Sequence, residues 1–166
     1  ASVLGDPDRS ASIGAWDGAR LVAYTLCSAE RDRVYPFSPL IQTLQDRGEG
    51  LWTGKGTAVD PDYEGRLLMA RLLSARRDRM ARLGAYHTAG LIAVDNVASL
   101  VSAMRAGSVV VGVEADAWCD NFIGYGGPMF DRERAVGDER AALDDVPRIR
   151  DLIARGWIGT GLDRDR

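Results

Sequence analysis

Histidine, lysine and cysteine are almost missing from this chain of 166 residues: His87 and Lys55 stand alone, and Cys27 and Cys119 are the two thiols. Two cysteines make no disulfide framework and match no metal spacing, so both read as buried thiols and no metal is expected. No apolar run approaches the ~18 residues a membrane helix needs, and no basic-plus-apolar leader is present. No membrane association is therefore expected, and the default location is cytoplasmic. Nor is there an excess of positive charge. The net charge of −3 and isoelectric point near 5.2 argue against a nucleic-acid surface. Arg71, Arg76, Arg77, Arg79 and Arg82 do cluster, but Asp78 is mixed among them, and the spacing reads as a solvated helix face.

What is present suits one domain with a real core, since a chain of this size buries roughly 70% of its unfolded surface. Residues 1–12 read as a polar, flexible lead-in, and 132–166 as a charged extension with one short helix, VPRIRDLIARG. Between them, SIGAWDGARLVAYTLC predicts two strands about an Asp17-Gly18 turn. PLIQTLQDRG predicts a short helix ended by Gly48. LWTGKGTAV (51–59) predicts a strand whose interior glycines, Gly54 and Gly56, mark a bulge or a close approach by a ligand. A helix over about 65–83 carries Met69, Leu72, Leu73, Met80 and Leu83 on one side and stops at Gly84. The strand 86–94 follows, then an Asp95-Asn96 cap and a helix with Val97, Leu100, Val101 and Met104 inward. SVVVGVEA and NFIGYGGPMF supply two more strands. A helix between strands 51–59 and 86–94 makes those two parallel neighbours.

The segment TAVDPDYEGRLLMARLL (57–73) carries the functional signal. A strand ends at Val59, a turn follows at Asp60-Pro61-Asp62, and a helix opens near Gly65, the layout of a loop that seats a phosphate on a helix N-terminus. Over residues 12–130 this order resembles the GNAT superfamily of acyl-CoA-dependent N-acyltransferases. AVDPDY matches the family's V-x-P-x-Y strand exit, Gly84 falls where its helix ends, and Asn96 and Gly107 keep the spacing of N-x-x-A-x-x-L-Y-x-x-x-G-F. Set on the pyrophosphate motif (Q/R)-x-x-G-x-(G/A), Glu64 takes the Gln/Arg slot, Leu67 the first glycine and Met69 the Gly/Ala slot. Leu67 can turn its side chain to the core and leave its N–H to the ligand. The family's tyrosine, which protonates the leaving thiolate, falls on Ala103, and its closing phenylalanine on Ser108.

The resemblance implies an α/β fold over 13–131, a mixed, mainly antiparallel twisted sheet with a central parallel strand pair flanked by helices. It implies transfer of an acyl group from acetyl-CoA or another acyl-CoA to the amine of a small acceptor. Thr57, Ala58, Val59, Glu64, Gly65, Arg66, Leu67, Leu68, Met69 and Asn96 would hold the cofactor. Asn96 also serves as a helix cap. His87, whose ordinary pKa near 6.5 suits proton removal, is the candidate base. Tyr125 and Tyr86 could replace the missing tyrosine, and Glu49 lies where some members place a base. Trp16 and Trp52 are either wall residues of the acceptor pocket or core aromatics. The family also has a strand and one or two helices before the first hairpin, where this chain offers a dozen residues. A trimmed or shared first segment would leave a sheet edge, hence a homodimer as a further expectation. Two other readings share the fold: an inactive ligand-binding or assembly module, and an acyltransferase using a carrier-protein thioester.

Overall fold

The computed structural model describes residues 2–4, 6–29, 43, 50–115, 119–127 and 139–162. Strands β1 (Ser2–Leu4), β2 (Ser12–Asp17), β3 (Arg20–Ser28) and β4 (Leu51–Val59) lead into helix α1 (Leu68–Arg82). Strand β5 (His87–Ala93), helix α2 (Val97–Arg105), strands β6 (Val109–Ala115) and β7 (Asp120–Gly126) and helix α3 (Val146–Ala154) complete it. The strands form one sheet in the order β1-β2-β3-β4-β5-β7-β6. Every neighbouring pair is antiparallel except β4 and β5, which run parallel with α1 as their crossover. The mixed sheet with a central parallel pair is thus as the sequence predicts.

Alternation within the strands divides the core in two. On one face α1 lays Leu72 against Ile13 and Ala23, and Met80 against Cys27, Trp52 and Ala85. Leu100 and Met104 of α2 meet Val110, Val113, Phe122 and Val146 of α3 on that same face. The opposite face gathers Ala89, Val109, Val111, Ile123 and Tyr125. A buried Leu, Phe or Met side chain contributes about 1.5–3 kcal/mol by leaving water.

Four sequence expectations need correction. Residues 2–4, within the predicted lead-in, pair with β2, while Ser10 and Ala11 are buried. The β2 edge whose exposure motivated a homodimer therefore already carries a strand, and the dimer is not carried forward. Helix α1 begins at Leu68 rather than Gly65, because Gly65 (φ 73°) and Leu67 (φ 57°) hold left-handed backbone that no α-helix accepts. In α2, Val97 is exposed, and Ala103 joins Leu100 and Met104 in the interior. Of the helix expected over 39–48, all but Thr43 lies outside the described residues. Among the described residues, no helix is long and apolar enough to cross a membrane.

Candidate active site

The parallel pair does not stay paired. β4 and β5 match from Leu51 opposite His87 to Gly54 opposite Gly90, and no further. Beyond that point β4 follows β3 to the pairing of Val59 with Ala23, whereas β5 follows β7. At the parting the register of β4 on β3 jumps from Gly54 opposite Cys27 to Gly56 opposite Leu26, skipping Lys55. The strands splay there and leave a cleft of about 230 Å3.

The floor is glycine. Gly54, Gly90 and Gly124 are successive cross-strand partners, and Gly126 stands opposite Thr88. A Cβ at Gly90 would come within 3.3 Å of the Gly54 carbonyl oxygen, and one at Gly54 within 3.4 Å of Arg76 Nη1. With no side chains on this row, the space between α1 and α2 stays open. Met69, Leu73 and Arg76 form the α1 wall, and Asn96, Ser99 and Ala103 the α2 wall. These residues recur at i, i+4, i+7 and i, i+3, i+7, so each set shares one helix face.

The mouth lies at the C-terminal ends of β4 and β5. There the Asp60 side chain accepts from the Asp62 amide and opens the short 3-10 turn Pro61–Tyr63. This turn is tied to the β2–β3 hairpin: Arg20 pairs with Asp60 at 2.6 Å and Asp62 at 3.3 Å, and Tyr63 donates to Asp17 at 2.5 Å. The bond to Asp17 raises the Tyr63 phenol above its ordinary value. Arg66 stacks over the Tyr63 ring at 4.7 Å. Then come Gly65 and Leu67, and α1 starts with no side-chain cap. First-turn amides without a cap and with the helix dipole behind them make a seat for an anion.

The sequence-selected residues separate into groups. Thr57, Met69 and Asn96 line the cleft, with Asn96 also accepting from the Ser99 amide at 3.1 Å. Ala58 and Val59 continue β4 to the mouth, and Glu64, Gly65, Arg66 and Leu67 form its exposed rim. Leu67 is 60% exposed, so its side chain points to water and not to the core. Leu68 packs instead beside Leu72, Ile13 and Ala23. His87 and Tyr125 are brought together, Nδ1 to Oη at 2.7 Å, both buried. They lie on the opposite face of the sheet, at the closed end of the split, and do not line the cleft. Glu49 lies outside the described residues. Trp52 is a core residue against Met80, while Trp16 and Tyr86 are exposed.

Arg76 lines the cleft and does not belong to the solvated face that its spacing suggests. Its position falls on the apolar stripe of α1, between Leu72, Leu73 and Met80, and that charged interruption was the available signal. Nη1 donates to Thr25 Oγ1 at 3.0 Å, which in turn contacts Thr57 Oγ1 at 3.0 Å. Burial lowers the Arg76 guanidinium from its ordinary value; Cys27 opposes this shift and Arg77 adds to it. Burial also pushes the Cys27 thiol up, against the pull of Arg76.

Neither a family model nor a curated protein matches the sequence. Solved structures do match. A GNAT-family acetyltransferase from Streptococcus pneumoniae is similar at 13% identity and TM-score 0.57, over 72% of this chain and 67% of that one. The fold is that of the GNAT acetyltransferases. The ribosomal-protein-S18-alanine N-acetyltransferase from Escherichia coli aligns at 16% identity and TM-score 0.55, over 78% of this chain and 76% of that one. Aminoglycoside acetyltransferase AAC(6')-Ib, in complex with coenzyme A and kanamycin, aligns at 9% identity and TM-score 0.54 over 70% of this chain. The chain spans 65% of that enzyme's length. At such identities the likeness concerns the GNAT fold, and the chemistry must be argued from the cleft.

Proposed function

We propose that this chain is an N-acyltransferase that moves an acyl group from acetyl-CoA, or another acyl-CoA, directly to the amine of a small acceptor. The observation that carries the reading is the glycine-floored cleft between the splayed β4 and β5, opening at the uncapped start of α1. Past Gly54 the β5-side edge of β4 has no strand partner among the described residues. Its backbone groups near Thr57, Ala58 and Val59 can therefore bond the amides of a pantetheine arm, as a missing strand would. The amides of residues 67–69 would take the pyrophosphate.

In this reading the amine nitrogen attacks the thioester carbonyl, the C–S bond breaks, and CoA leaves as a thiolate. A β4 amide near the skipped Lys55 would stabilise the oxygen that gains charge, and holding the two reactants in line supplies much of the rate. The amine proton passes to water in the open cleft, because the paired His87 and Tyr125 are buried on the opposite face of the sheet. Incubation with acetyl-CoA and a panel of small amines, read as free-thiol release and product mass, tests the reading. Thiol release that depends on an amine supports it, and neither release nor CoA binding would overturn it.

One observation favours a second donor. Glu64 is exposed beside the anion seat, where its carboxylate repels a pyrophosphate. A pantetheine thioester on a carrier protein has no such group. Transfer from an acylated carrier without measurable binding of CoA would select that donor.

A further inference from the structure

Arg76 has no use in the transfer as proposed, yet it sits at the inner end of the cleft. It lies seven residues beyond Met69 on the same face of α1, about 10 Å deeper at 1.5 Å per residue. No Asp or Glu is among the described residues that line this cleft. The hydrogen bond to Thr25 occupies Nη1, and a guanidinium carries five N–H donors. Across from it, the buried Thr88 hydroxyl of β5 has the Cys27 thiol as its neighbour and no oxygen or nitrogen partner. Arg77, the neighbouring charge, is also a cation and turns away to the Ala106 carbonyl.

A cation desolvated without a carboxylate weakens a fold, and an apolar side chain on this stripe would pack better. A ligand can bring that carboxylate. We propose that Arg76 and Thr88 bind a carboxylate at the far end of the acyl chain, so that the donor is a thioester of a short dicarboxylic acid. This rests on the reading of the cleft as an acyl-CoA site and goes further, because it names the acyl class. The fork of the guanidinium suits a carboxylate in two-point contact, and the Thr88 hydroxyl, beside only the weakly bonding Cys27 thiol, supplies one more donor. The row at Gly54, Gly90 and Gly126 leaves the width such a chain needs beside β4. An acetyl group would leave the guanidinium unanswered.

The test compares binding of CoA, butyryl-CoA and succinyl-CoA, whose acyl chains have four carbons in both thioesters, to wild type, Arg76→Met and Arg76→Lys. Wild type is expected to hold succinyl-CoA at least tenfold tighter than butyryl-CoA. Arg76→Met should erase that ratio by bringing succinyl-CoA affinity down to that of butyryl-CoA, and should melt higher than wild type without ligand. Arg76→Lys should keep part of the preference, with one point of contact in place of two. Equal affinity of wild type for the two thioesters would overturn the inference while CoA binding upheld the site. Equal loss of both thioesters in Arg76→Met would also overturn it, since Arg76 would then only support the cleft's shape. Failure of every CoA species to bind would overturn both this inference and the proposed function.

Discussion

Leu67 holds a left-handed backbone that an L-residue adopts at about 1–2 kcal/mol, with its side chain in water. It is the one non-glycine residue with positive φ among those described. The loop thus keeps the shape a glycine would give, with a leucine bearing the strain. Leu67→Gly should gain about 0.5–1 kcal/mol in chemical denaturation, the relief exceeding the chain entropy glycine adds. At the floor of the cleft, a Cβ at Gly124 would make two ordinary contacts, 3.4 Å from Ile92 Cδ1 and 3.7 Å from the Gly90 carbonyl oxygen. Gly124→Val should therefore fold and melt near wild type yet bind CoA at least tenfold more weakly, which calorimetry can read. The buried Cys27 thiol titrates above its unfolded value. Stability that depends on it is complete below about pH 8.5 and is lost as pH rises toward the raised folded pKa. The denaturation midpoint of Cys27→Ala should consequently fall less between pH 8 and 10 than that of wild type.

At the scale of elements, most of the fold was legible because each element carries its own punctuation. The β2–β3 hairpin turns at Gly18 with φ 55°; α2 opens on Asn96 and α3 on Asp145, whose side chains accept the Ser99 and Arg148 amides. The start of α1 was not legible in this way, because it has no capping side chain to announce it and two left-handed residues delay it. Nor was β1, three residues long and identified only by its pairing with β2. Asn96 has two roles to separate, cap and cleft wall. Asn96→Ala should lose about 1 kcal/mol of stability, and Asn96→Asp should restore it while weakening CoA binding through its added charge. Denaturation and calorimetry on the same two variants distinguish the roles.

At the scale of the molecule, the site is a property of pairing rather than of any one motif. Sequence spacing showed that β4 and β5 are parallel, but not that they part after Gly54 and Gly90, because that depends on β3 and β7 claiming one strand each. The alternation of β5 and β7 does put His87 and Tyr125 on one face and the glycine floor on the other. That division needs the register between strands, which a single sequence does not print. The same holds for Arg76: its charge was visible, its place at the end of a cleft was not.

The central claim is that the split between β4 and β5 holds a CoA pantetheine. Calorimetric titration of CoA into wild type and Gly124→Val tests it most directly. The account predicts micromolar binding to wild type and at least a tenfold loss in the variant at unchanged melting temperature. Equal binding by the two proteins would contradict it, placing CoA elsewhere, as would no binding by wild type at millimolar ligand.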